Sequence, residues 1–165
     1  MTVQDIIASL RREWSSPRRT SDSDPRSADF EVACYFEDSM QAELSNELPS
    51  DLRDFWKSCS GARLFEDRHY GQWGLVVLSP NAAAAATSEF KQRRARDFRV
   101  GDLVIGRFLG DSDLLMLRCD PTVPDFGHAI VVLPLDPRHD WEVVATTFAE
   151  FLGKYAAAEG NKFWE

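Results

Sequence analysis

The stretch from Asp102 to Cys119, DLVIGRFLGDSDLLMLRC, limits the possible folds more than any other part of the chain. Leu103, Val104 and Ile105 form an apolar run that Phe108 and Leu109 continue. Gly110-Asp111-Ser112-Asp113 is turn chemistry: glycine reaches positive φ without steric cost, and Asp and Ser bond their own backbone. Leu114 to Leu117 then begin a second run. Two apolar runs split by such residues read as a β-hairpin. Neither run alternates strictly, so both faces of the pair are expected to be covered. A pair covered twice requires further layers of structure packed on it.

The flanking segments supply those layers. Val3, Ile6, Ile7, Leu10 and Trp14 recur at helical spacing and predict a helix over 3–14. Residues 15–28, SSPRRTSDSDPRSA, read as a polar linker. Val32, Phe36, Met40 and Leu44 fall every fourth residue and predict a second helix over 29–46, with Asp29 as its N-cap and Phe36 and Met40 in the core. Glu31, Glu37, Asp38, Glu43 and Glu47 would give that helix an acidic outer face. Leu48-Pro49-Ser50-Asp51 opens a third helix with the stripe Leu52, Phe55, Trp56 and Cys59, closed by Gly61.

A short strand over 62–65, a polar turn over 66–71 and a strand over 72–78 containing Trp73 come next. Ser79-Pro80 opens an alanine-rich helix reaching Ala95. Its basic end (Lys91, Arg93, Arg94, Arg96 and Arg99) complements the helix dipole. Past the hairpin come a loop over 120–127, a strand over 128–135, an extended start over 141–145 and a helix over 146–159. Phe163 and Trp164 are expected to dock on the body. This order predicts a single-domain α+β fold, a mostly antiparallel sheet flanked by helices. Residues 1–28 read as an added helix and linker, and 29–165 as the domain.

No window of the 165 residues approaches the ~20 apolar positions of a membrane span. The N-terminal segment has no signal-peptide core, so the expected compartment is the cytoplasm and no membrane partner is expected. Cys34, Cys59 and Cys119 lack metal-ligand spacing and read as reduced, buried thiols. The net charge of −8 is uneven, with ten acidic against four basic residues in 29–69 and eleven against five in 101–165. Such a protein repels nucleic acid and attracts basic partners.

Catalytic signatures are missing. The sequence has no Gly-rich phosphate loop, no G-x-S-x-G, no H-E-x-x-H and no paired C-x-x-C. His69, His128 and His139 stand far apart. Asp111-Ser112-Asp113 has the form of a D-x-D metal pair, but two carboxylates at a turn read more simply as a solvated or partner-binding tip. The expectation is a non-enzyme, with no catalytic residue, metal or cofactor.

Four motifs, taken in order, resemble the SUKH superfamily. Leu48-Pro49-Ser50-Asp51-Leu52-Arg53-Asp54-Phe55-Trp56 followed by Ser60-Gly61 is similar to its LP-x-D helix and the Gly after it. Gln72-Trp73-Gly74-Leu75 resembles its Trp-bearing strand. The run from Ile105 to Asp113 resembles its I-G-x-F-x-G-D-x-D hairpin. Phe148 to Leu152, with Gly160-Asn161-Lys162-Phe163-Trp164-Glu165, resembles the ending of some bacterial members, with Phe163 in place of Tyr. The resemblance covers roughly residues 29–165. It implies an α+β immunity protein that binds and neutralises the cognate toxin domain of a bacterial polymorphic toxin system. The alternative is a regulatory or scaffold interaction module of the same fold, as in fungal relatives that regulate cell-wall synthesis. The acidic charge fits a basic, nuclease-type toxin. The candidate contacts are Asp111 and Asp113, Glu66 and Asp67, the outer-face Glu37, Asp38 and Glu43, and Trp73.

Overall fold

A computed structural model describes residues 1–22 and 30–165. Its centre is a seven-stranded antiparallel sheet whose spatial order is the sequence order. The strands are β1 (Val32–Phe36), β2 (Ala62–Asp67), β3 (Leu75–Val77), β4 (Asp102–Phe108), β5 (Leu114–Arg118), β6 (Ala129–Val132) and β7 (Glu142–Ala145). The expected hairpin is β4–β5, with Leu103 opposite Leu117 and Val104 opposite Met116. Gly110 in its turn has φ +89°, and a Cβ there would overlap the carbonyl oxygen of Gln72. Only glycine lets this turn seat on the β2–β3 connection.

The continuous apolar runs are explained by coverage on both faces. Leu103, Leu117 and Ala129 form one cross-strand row in the main core. Val104, Met116 and Ile130 form the adjacent row, which points to the other face and a second, smaller cluster. Helices α1 (Val3–Trp14), α2 (Ser50–Ser58) and α4 (Phe148–Ala157) pack over the main core. Helix α3 (Pro80–Arg93) lies beside β4 where β3 has stopped: Thr87 Oγ1 accepts from the Val104 amide at 2.9 Å, and Phe90 joins Trp141 in the second cluster. The aromatic tail docks as expected, with Phe163 and Trp164 against the main core.

The predicted helix over 29–46 does not form. Residues 32–36 are β1, and 37–45 follow as an irregular strap. Spacing of four satisfies a two-residue period as well as a helical one, so Val32 and Phe36 are equally good strand neighbours. Val32 and Cys34 sit in the main core while Tyr35 is on the opposite face, which is the strand period. Met40, expected in the core, is 66% exposed. Asp29 and the 23–28 part of the linker lie outside the described residues.

β1 and β2 are joined through a bulge in which Leu64 and Phe65 together oppose Cys34. Phe65 takes φ +53°, and its amide points at Cys34 Sγ, 3.3 Å away. The left-handed backbone turns both side chains inward, where Phe65 meets Trp14 and Tyr155 edge-on at 5.0 and 5.7 Å. An αL conformation at a bulky residue costs on the order of 1 kcal/mol or more, and the aromatic packing offsets it.

Candidate protein-binding surface

The expected contact residues fall at two opposite ends of the strands, separated by the length of β2, ~17 Å. Glu66, Asp67, Trp73, Asp111 and Asp113 are at one end, where the Leu109 amide donates to the Gly74 carbonyl at 2.8 Å and ties the two turns together. Glu37, Asp38 and Glu43 are at the other, on the strap.

The turn group is occupied by the chain itself. Lys162 Nζ lies 2.6 Å from Asp111 Oδ2 and 3.1 Å from Asp113 Oδ2, above the Phe108 ring. Partial burial opposes charge on this lysine, but its hydrogen bonds to the two aspartates win and raise its pKa. The ammonium stands where a D-x-D pair would hold a cation. Asp67 is buried and caps its own turn, accepting the His69 amide at 2.9 Å. Glu66 pairs with Arg63 at 2.9 Å. Trp73 is half-buried, edge-on to Phe30 at 6.4 Å. Lys162 is the residue that sequence reasoning passed over: it sits 49 positions from Asp113, and only its place before the docked Phe163-Trp164 hinted at its location.

The strap is built differently. The Glu37 amide donates to the Gly61 carbonyl at 2.9 Å, Ser60 Oγ donates to Glu37 Oε2 at 3.3 Å, and Ser39 Oγ donates to the Lys57 carbonyl at 2.9 Å. Leu44 and Leu48 anchor the far end on the main core. The segment is thereby fixed across the C-terminal end of α2, with Asp38, Glu43 and Glu47 facing water. None of these three carboxylates has an ion-pair partner among the described residues. No Lys or Arg occurs between Glu37 and Leu52. The result is a fixed acidic ridge with one exposed thioether, Met40.

A hollow of about 680 Å³ between α1 and α4 carries no such unpaired acidic set. Its wall is Ile6, Leu10, Ala149 and Gly153, and its rim carboxylates are paired, Glu13 with Arg12 at 3.0 Å and Glu150 with Lys154 at 2.7 Å. Among the described residues no three His, Cys, Asp or Glu side chains are placed to hold a metal ion. No helix among them is long and apolar enough to cross a membrane.

A sequential seven-strand meander, three helices over one face and a fourth beside β4 define an α+β protein of the SUKH type. The chain belongs to the SMI1/KNR4 family (SUKH-1), whose sequence profile matches residues 38–154. That match takes in the strap, α2, α3, the hairpin and most of α4, and leaves α1, β1 and the aromatic tail outside it. No curated protein matches the chain in sequence.

Proposed function

We propose that this protein is a non-enzymatic immunity protein that binds and neutralises a basic, nuclease-type toxin domain in the cytoplasm, using the acidic strap. The observation that carries the reading is the pinned, unpaired set Asp38, Glu43 and Glu47. Membership of the SUKH-1 family supports it. A nuclease must itself be basic where it grips a phosphate backbone. An acidic ridge held in place meets such a groove without first having to order itself, and long-range attraction raises the encounter rate. Met40 offers a flexible apolar contact at the centre of the ridge.

The test is to seek a toxin domain encoded beside this gene and to co-express it with this protein. Protection of the cells, lost on triple reversal of Asp38, Glu43 and Glu47 to Lys, is the expected result. Equal killing with and without the protein overturns the neutralisation reading. Stable binding to a host protein without protection would assign the chain to the scaffold class instead.

A further inference from the structure

The two edges of the sheet are treated unequally. The β1 edge is covered at its first residue, because Arg18 and Val32 exchange backbone hydrogen bonds of 3.0 and 2.9 Å. The β7 edge is open: among the described residues, the backbone of 142–145 bonds only to β6. Val143 on that edge is 56% exposed.

Beside the open edge lies a hollow of about 290 Å³ on the face that carries the main core. Val131, Leu133 and Trp164 form its apolar floor, and Asp140, Glu142 and Glu165 stand around it. Glu142 is the cross-strand partner of Val131, so its side chain rises over that floor. The rim is only lightly neutralised: His139 Nε2 is 3.5 Å from Asp140, and Lys162 Nζ is 3.4 Å from Glu165. Glu142 has no ion-pair partner among the described residues.

We propose that this edge and hollow form a second docking site, which takes an extended segment of a partner protein carrying a lysine or arginine. The segment adds as an eighth strand beside β7, through main-chain hydrogen bonds. Its basic side chain lays its stem on Leu133 and Trp164 and brings its head to Asp140 and Glu142, a combination of apolar burial, ring contact and charge. A bulge at Val144 and a charge at Glu142 are also devices that blunt an edge against aggregation. Blunting, however, needs no apolar hollow under the charge. A second copy of this chain is the wrong occupant, since pairing two β7 edges would bring both sets of Asp140 and Glu142 to one seam. The site stands apart from the strap: six strand spacings, ~29 Å, separate the β1 and β7 edges. It does not depend on the neutralisation reading.

The test is an NMR titration of the ¹⁵N-labelled chain with acetyl-Thr-Val-Lys-Val-Thr-amide, beside the same peptide with norleucine in place of lysine. The expected result is shifts of the 141–145 amides and the Trp164 indole, with binding weakened about tenfold or more by norleucine or by Glu142→Lys. The strap reversal of Asp38, Glu43 and Glu47 should leave these shifts unchanged. The proposal is overturned by no shifts at about 1 mM peptide, by shifts that map elsewhere, or by equal binding of the norleucine peptide. Self-association through β7, abolished by Glu142→Lys, would assign the edge to a second copy and also overturn it.

Discussion

Asp102 begins the central strand with its carboxylate wholly inside the protein. Its side chain is 0% exposed, with Arg118 Nη1 at 2.7 Å and Arg138 Nη1 at 2.6 Å. Arg118 also reaches Asp125 at 3.1 Å, and Arg138 holds the Asp97 carbonyl at 2.6 Å, so β4, β5 and the turn before β7 meet at one carboxylate. Removing one member of such a group strands the charges that remain. Asp102→Asn is therefore expected to cost about 3 kcal/mol in urea unfolding, although it changes almost no volume. The thiols are the opposite case. Burial pushes Cys34, Cys59 and Cys119 up to about 12, leaving roughly one thiolate in 10⁴ at pH 8. A thiol reagent such as DTNB should label the native chain at pH 8 far more slowly than the urea-unfolded chain; equal rates would contradict this. An odd count without ligand spacing made free thiols legible in the sequence; Cys34 and Cys59 are buried as expected, whereas Cys119 is half-buried. Asp102 was not legible, because its partners lie 16 and 36 positions away and nothing local marks a buried acid.

Among the elements, α4 has a well-defined start. Thr147 Oγ1 accepts the Glu150 amide at 3.0 Å. Glu150 is held by Lys154 Nζ at 2.7 Å and by the Thr146 amide and hydroxyl at 2.7 and 2.8 Å. These hydrogen bonds, that from Lys154 first, bring its pKa down from 4.5 to about 2. A depressed carboxylate stabilises the fold above its unfolded value and ceases to do so as pH falls through its folded value. The urea midpoint of the native chain should thus exceed that of Glu150→Gln at pH 7, and the gap should close between pH 4.5 and about 2. A gap that stays constant over that range would exclude the linkage. This helix was legible, over 146–159, because the apolar stripe Phe148, Phe151, Leu152 and Tyr155 and the terminal Gly160 agree; its Thr147 cap is visible only in the structure. The strap was misread because spacing of four fits a strand as well as a helix, and Asp29 as a cap could not decide between them; Glu43 and Glu47 also place like charges four apart, which disfavours a helix. Phe65 was hidden for a related reason, since nothing in ARLFED announces a left-handed residue in a strand.

At the scale of the molecule, charge and shape divide the candidate surface. The turn acids are consumed by Lys162 and Arg63, while the strap acids remain available. Reversing Asp38, Glu43 and Glu47 to Lys should slow association with a basic partner by about tenfold at low salt, and the difference should shrink by about 0.5 M salt. Stopped-flow rates at two ionic strengths check this; a loss confined to the off-rate would move the hot spot to Met40 and its apolar surroundings. Acidic character could be read from composition, but which acids stay free depended on pairings 49 and 51 residues apart. The order of the sheet carries a further consequence, for the rate of folding. Every strand pairs with its neighbour in sequence, so each ladder closes a modest loop and gives up little chain entropy. The docking of α1 against α4 runs the other way, joining residues such as Ile6 and Gly153 across almost the whole chain. A contact that distant is the natural one to form after the barrier. Ile6→Val should then leave the folding rate nearly unchanged and express its loss, about 1 kcal/mol, as faster unfolding.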